Sequence, residues 1–178
     1  MTSCAGNGYK STTDDDGDGT LSDNSTDEIE VPENAIKGDF DGDKSTEYLW
    51  VEFETDDEGF ATTPITLRSD KPKFDGLVIS NGGMGANLSN LGELKNDGRD
   101  YLGVESYSMS AWESYLVFDF KSGRWRESIE PFSIYQNDDA ITRVFRTPDR
   151  DGYVTIVTND MSDSDNGFEN QYQQVRLS

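Results

Sequence analysis

Short segments of the chain alternate between hydrophobic and polar residues with a period of two. The alternation is clearest over residues 47–53 and 115–120, and this period is typical of a β-strand with one buried face. Further strands are predicted at residues 65–68, 77–80, 101–104, 127–129, 141–145, 153–157 and 172–177. No window keeps a period of 3.6 residues between helix caps, so we expect little helix, at most a turn near residues 88–91.

Glycines indicate where two of the connections lie. Residues 121–124 separate two predicted strands, and Gly123 can adopt a positive φ, so we expect a tight hairpin there. Residues 81–87 contain Gly82, Gly83 and Gly85 and are predicted to form a loop.

Three segments rich in Asp and Gly each precede a predicted strand. Asp43, Asp97 and Asp151 hold equivalent places in them and recur at a constant interval of 54 residues. A constant interval of this size indicates repeated supersecondary units. The pattern predicts an all-β chain of antiparallel strands in about three repeats, which start near residues 38, 92 and 147.

The first 30 residues differ from the rest of the chain in composition. They hold one basic residue, Lys10, and their large apolar residues are few. Such a segment buries too little surface to offset the entropy of ordering, so we expect residues 1–30 to be a flexible acidic leader. Residues 31–178 are predicted to form a single β domain, with a core built largely from the aromatic residues that make up 11% of the chain.

The chain is strongly acidic, with 36 Asp and Glu against 15 Lys and Arg and a net charge of -21. This charge repels nucleic acid phosphates and anionic lipid, and it makes cations the natural partners. Carboxylate oxygens are hard ligands that suit calcium, whereas the lack of His argues against zinc, copper or haem.

The composition also bears on catalysis. Without His the chain can form neither a Ser-His-Asp nor a Cys-His arrangement. A glycoside hydrolase needs only two carboxylates, and among 36 acidic residues any chosen pair is uninformative. We therefore expect no enzyme, and we keep a carbohydrate-active accessory protein or a weak glycoside hydrolase as the alternative.

The clearest candidate site is a run of alternating Asp residues ahead of a strand. In a calcium loop the side chains at positions 1, 3 and 5 converge on the ion, position 7 offers its carbonyl, and a later carboxylate closes the shell. The corresponding residues are Asp39, Asp41, Asp43, Ser45 and Glu47. The spacing predicts a calcium site in this loop.

This alternation resembles the calcium loop of FG-GAP or integrin-α-like repeats, of the form D-x-D-G-D-G-x-x-D-L. The resemblance covers residues 38–51 well and residues 92–104 fairly. The chain departs from the form at Lys44, where glycine is usual, and at Glu47, where Asp is usual. In the second copy Lys95 stands at a ligand position, and an ammonium cannot coordinate a cation. We expect that copy to be a structural relic.

The resemblance implies a fold and a setting. Such repeats form β-propeller blades of antiparallel strands in extracellular adhesion proteins and in secreted bacterial proteins. Three repeats are fewer than the roughly four blades of even a small closed propeller. We therefore expect a partial propeller-like array, a distorted sandwich or half of an oligomeric ring.

A second acidic cluster lies in the leader. Asp14, Asp16, Asp18 and Thr20 fit the start of an EF-hand-like loop, but Ser25 stands where the bidentate acid belongs. We expect this cluster to bind calcium weakly.

The single cysteine, Cys4, lies between small residues at the start of the leader, so no disulfide can form within the chain. The segment resembles the mature start of a bacterial lipoprotein, which implies a lipid on Cys4 and an extracytoplasmic or cell-surface location. The alternative is an ordinary free thiol in a polar tail. No run of about 18 apolar residues is present, so a membrane contact is expected only through this lipid.

Aromatic residues supply the last candidate. Trp112 and Tyr115 lie beside a Ser-rich segment and could stack on a glycan or a partner protein. The alternative is that these rings belong to the core of a small β domain. Together these features predict a calcium-stabilised binding or adhesion module with an unknown protein or glycan ligand.

Overall fold

A computed structural model describes residues 29–135, 142–160 and 169–178 of the chain. Within these ranges the secondary structure is twelve strands and one short 3₁₀ helix at Pro72–Phe74. The strands are β1 Ile36–Gly38, β2 Glu47–Glu52, β3 Ile65–Ser69, β4 Val78–Ser80, β5 Gly85–Asn90, β6 Leu102–Tyr107, β7 Trp112–Lys121, β8 Arg124–Glu127, β9 Phe132–Tyr135, β10 Val144–Arg146, β11 Tyr153–Asn159 and β12 Asn170–Arg176.

The strands form three antiparallel sheets in chain order. The first sheet has the order β1-β2-β3-β4, the second has the order β5-β6-β7-β8 with β9 paired to β7, and the third has the order β10-β11-β12. Neighbours in the sheet are neighbours in the chain almost throughout, as expected when short connections join antiparallel strands. The predicted all-β fold of about three antiparallel units is confirmed.

The second sheet contributes side chains to two hydrophobic clusters, one shared with the first sheet and one with the third. Along β7 the side chains of Phe118 and Phe120 pack with residues of the first sheet. Tyr115 and Val117 point the other way and pack with residues of the third sheet, such as Val154. Because successive side chains of a strand point to opposite faces, one long strand contributes to both hydrophobic clusters.

Two connections test the glycine-based predictions. The hairpin between β7 and β8 is confirmed: Ser122 and Gly123 both have positive φ, and Lys121 pairs with Arg124. A two-residue turn of this kind matches the twist of the flanking strands. The predictions of a loop through residue 87 and of a turn near residues 88–91 were wrong, because Gly85–Asn90 forms β5 and pairs with β6 along its whole length. Tertiary pairing outweighs the low β propensity of these residues.

The 54-residue interval has a counterpart in the backbone. Lys44, Gly98 and Gly152 are spaced by this interval, and all three have φ between 67° and 73°. Each lies in the connection between the first two strands of its sheet. Glycine adopts this conformation at little cost, whereas Lys44 adopts it against the steric preference of an L side chain.

Candidate metal site

The acidic loop, residues 39–46, connects β1 to β2. Asp39, Asp41 and Asp43 each offer a carboxylate oxygen, and these oxygens lie within 4.8 Å of one another. Within the described residues this is the one group of three such side chains that close together. The structure thus brings together the first three ligands that the spacing predicts.

Backbone N–H groups hold these carboxylates in place. Asp39 accepts hydrogen bonds from the N–H groups of Gly42 at 2.8 Å and Lys44 at 2.9 Å. Asp41 accepts from the N–H of Asp43 at 3.2 Å, and Asp43 accepts from the N–H of Ser45 at 2.7 Å. These turns curl the chain around its own carboxylates, as Asp side chains commonly do.

Lysines from the segment after β3 balance the charge of the loop. Lys73 contacts the Asp41 carboxylate, and its Nζ lies 3.6 Å from Asp43. Burial raises the pKa of Asp41, but its hydrogen bond to Lys73 and its other contacts outweigh this effect, so the net pKa lies below 3.8. The hydrogen bond to Asp41 raises the pKa of Lys73 above 10.5. The carboxylate and the ammonium are therefore both charged across the neutral range.

Glu47 lies apart from the three clustered carboxylates. Its side chain is fully buried at the start of β2. One oxygen accepts the Phe40 N–H at 3.0 Å, and the other accepts Lys71 Nζ at 2.5 Å. The Ser45 hydroxyl also accepts from Lys71, at 2.8 Å. In this arrangement Glu47 joins the acidic loop to Lys71 through its two oxygens.

The second sheet supports the base of the acidic loop. Asp100 accepts the Asp39 N–H at 3.0 Å, and its own N–H donates to the Asp39 carbonyl at 2.8 Å. Asn90 joins them by donating to Asp100 and to the carbonyl of Lys37. A Cβ on Gly38 would meet Asn90 and Asp100 at under 3 Å, so a side chain there would push this support apart.

The second copy of the loop has the same skeleton without the acidic cluster. Glu93 accepts the Gly98 N–H at 2.8 Å, which repeats the bond between Asp39 and Lys44 one interval earlier. Asp97 pairs with Arg99 at 2.6 Å and accepts from the Tyr101 hydroxyl at 3.1 Å. The guanidinium of Arg99 thus stands beside Asp97 as a fixed cation.

The second copy of the loop borders a cavity, and the third copy has an exposed carboxylate. A cavity of about 420 Å³ opens beside Asp97, Arg99 and Asp119. In the third copy, Asp151 is exposed and lies 4.0 Å from Arg146.

The aromatic candidates lie on β7, and the candidates of the leader lie outside the described residues. Tyr115 is buried, stacks on Phe132 and shares a hydrogen bond with Ser89, so its ring faces protein. Trp112 is half-buried and packs edge-on against Tyr135. The predicted anchor and weak metal ligands, Cys4, Asp14, Asp16, Asp18 and Thr20, lie outside the described residues.

Sequence reasoning missed Lys71, Lys73 and Asp100, which all contact the acidic loop. Lys73 lies 32 residues from Asp41, and Asp100 lies 61 residues from Asp39. The one available signal was that two of the chain's 15 basic residues flank Pro72 in an acidic sequence. That signal does not indicate which carboxylates the lysines contact.

Comparison with known proteins gives no relative for this chain. No protein-family model matches it, and neither a curated protein nor a solved structure does.

Proposed function

We propose that the chain is a calcium-binding module of the extracytoplasmic or cell-surface space that binds a protein or glycan partner and has no catalysis of its own. The observation that carries this proposal is the convergence of Asp39, Asp41 and Asp43 within 4.8 Å in one loop. The resemblance of this loop to the FG-GAP form supports the extracellular setting. Among the described residues, no helix combines the length and apolar character needed to cross a membrane.

Calcium is the cation that best suits these ligands. It accepts six to eight oxygen ligands in flexible geometry, whereas magnesium demands a tight octahedron and releases water reluctantly. Asp43 is half-exposed, with 50% of its side chain accessible, so water molecules can complete a shell on the outer side of the loop. Lys73 is 42% exposed and can turn into solvent when a divalent ion takes its place.

Calcium is expected to raise the melting temperature of the wild-type chain. A ligand at about 100 times its dissociation constant adds about 2.7 kcal/mol to the free energy of unfolding, which corresponds to roughly 5 °C for a chain of this size. Magnesium should add less. The measurement is a calorimetric melt in chelator and in millimolar calcium.

Two variants make this test specific. Asp41→Ala should remove most of the calcium response because it removes a ligand from the centre of the cluster. Asp57→Ala removes an equal charge from an exposed turn between β2 and β3, so it should keep the full response. Equal wild-type melting temperatures in chelator and in calcium would leave the loop as an acidic turn held by lysines and would end the proposal.

Lys73→Gln is expected to bind calcium more tightly than the wild type. The substitution removes a cation that occupies the cluster and must be displaced by the ion. At a partly exposed site such a charge contributes about 1 kcal/mol, which is roughly a fivefold change in affinity. Lys37→Gln is the matched control, since Lys37 is exposed on β1 and no described contact joins its ammonium to the loop. Calcium titration by calorimetry compares the two, and equal affinities would show that Lys73 does not compete with the ion.

The proposed binding of a protein or glycan partner has its own test, which does not depend on the calcium melts. A glycan array and a surface-protein capture assay, each run with and without calcium, would test the binding role. Hydrolysis of an arrayed glycan would favour the carbohydrate-active alternative.

A further inference from the structure

Glu113 is an ionisable side chain buried in the second sheet. It is 2% exposed and lies on β7 opposite Ile134 of β9, which is fully buried. Neither of its carboxylate oxygens has a hydrogen-bond partner within the described parts of the chain. Burial without donors strongly disfavours the ionised form of a carboxyl group.

A second carboxylate, Glu105, faces Glu113 from β6. The ladder between β6 and β7 pairs Glu105 with Tyr115 and Ser106 with Ser114, so Glu105 lies diagonally across from Glu113 on the same face. This placement brings the charge of Glu105 close enough to disfavour ionisation of Glu113.

Polar side chains of β5 and β6 lie on the same face as Glu105. Tyr107 follows Glu105 by two residues on β6, so both side chains point to one face of the sheet. Asn87 pairs with Glu105 across the ladder between β5 and β6, and its side-chain amide donates to the Tyr107 hydroxyl.

Arg143 and Asn159 join β9 to the third sheet. Arg143, which precedes β10, donates to the Asn159 side chain at 3.3 Å and to the Tyr135 carbonyl at 3.5 Å. Asn159 in turn accepts the Tyr135 N–H at 2.8 Å. These bonds join β9 to the third sheet, directly beside the residue that pairs with Glu113.

We propose that Glu113 keeps its proton beside Glu105 and acts as a pH-sensitive latch on β9. With the proton in place, Glu113 stays buried and β9 holds the second sheet to the third. Without it, the two charges repel each other and Glu113 moves toward solvent, which loosens β9 and its bonds to Asn159 and Arg143. The latch is independent of calcium binding in the acidic loop.

The electrostatics set the direction of the effect. Burial, followed by the charge of Glu105, raises the pKa of Glu113 from 4.5 to about 7. Between these values the folded chain holds a proton that the unfolded chain has lost. Stability therefore falls as pH rises through this window, and the full loss is present above pH 7.

Histidine does not titrate in this window, because the chain has none. Burial raises the pKa of Tyr107 to about 12, with further contributions from Glu105 and Glu113, so this tyrosine stays neutral.

The test is a set of calorimetric melts at pH 5.5 and pH 8.0, all in chelator. The wild-type melting temperature should fall by roughly 5 °C between the two. Glu113→Gln, which copies the protonated state, should show little fall. Glu105→Gln should shift the midpoint of the transition to lower pH because it removes the neighbouring charge. Glu127→Gln makes the same change at an exposed strand position and should keep the wild-type fall.

Hydrogen exchange and carboxyl NMR complete the test. Amide exchange of Phe132–Tyr135, corrected for its intrinsic pH dependence, should accelerate at pH 8.0 in the wild type and not in Glu113→Gln. If Glu113→Gln does not fold, the glutamate carboxyl carbons of the wild type decide the matter, since one should titrate between pH 6 and pH 8. A full wild-type fall in Glu113→Gln, or no glutamate carboxyl that titrates above pH 6, would overturn the latch.

A calcium control separates a proton from a divalent ion at Glu105 and Glu113. Calcium added at pH 8.0 to Asp41→Ala, which lacks a ligand of the acidic loop, should leave its melting temperature unchanged. A rise to the value at pH 5.5 would mean that Glu105 and Glu113 bind a divalent ion, and it would overturn the latch.

Discussion

Phe74→Ala is expected to lower the free energy of unfolding by about 4 kcal/mol, which is the middle of the range for truncating a buried aromatic ring. Phe74 ends the 3₁₀ helix after β3 and is fully buried. Its ring lies 4.4 Å from that of Phe120 and 5.9 Å from that of Trp125, which belong to the second sheet. The ring therefore joins the first two sheets, and its loss leaves a cavity between them.

A urea denaturation curve measures this effect as a shift of the midpoint at constant slope. Tyr172→Ala is the control, because Tyr172 is 67% exposed on β12 and its truncation should change stability by about 0.5 kcal/mol or less. A loss below about 1 kcal/mol for Phe74→Ala would contradict the packing of the first sheet on the second, because a truncated core ring costs more.

Glu47→Ala is expected to lower the free energy of unfolding by about 3 kcal/mol. The substitution leaves the buried N–H of Phe40 without an acceptor and removes the partner of Lys71. Lys71 is 30% exposed and keeps part of its hydration, so the loss stays below that of a fully buried ion pair. The melting temperature should fall by roughly 6–12 °C.

The conservative variant separates the two contributions. Glu47→Gln keeps a carbonyl oxygen for the Phe40 N–H but loses the charge that Lys71 contacts, so it should lose about half as much stability. The melts are run in chelator, where calcium cannot contribute. If Glu47→Ala lost stability only in calcium, Glu47 would be a metal ligand in solution and its internal role would be wrong.

Much of the fold could be predicted from local pattern. The alternation around Phe118 and the turn at Ser122 and Gly123 each depend on a few neighbouring residues, and both predictions hold. Strand β5 could not be predicted, because its glycine and asparagines have low β propensity and its pairing with β6 decides its conformation.

The candidate site also has one part that the sequence predicts and one part that depends on the tertiary structure. The convergence of Asp39, Asp41 and Asp43 follows from alternate spacing in one tight loop, so the sequence was sufficient to predict it. The position of Glu47 depends on how β2 enters the core, and the spacing alone did not indicate its contacts with the Phe40 N–H and Lys71. The burial of Tyr115 likewise depends on which sheet covers that face of β7.

By itself, the sequence determined the strand periodicity, the 54-residue interval and the acidic character of the first loop, because these depend on residue order and local backbone geometry. Only the tertiary structure decided that Lys73 balances Asp41 and that Glu113 faces Glu105. Those pairs depend on strand register and sheet packing over long separations, and a charged residue gives no local sign of which opposite or like charge it will meet.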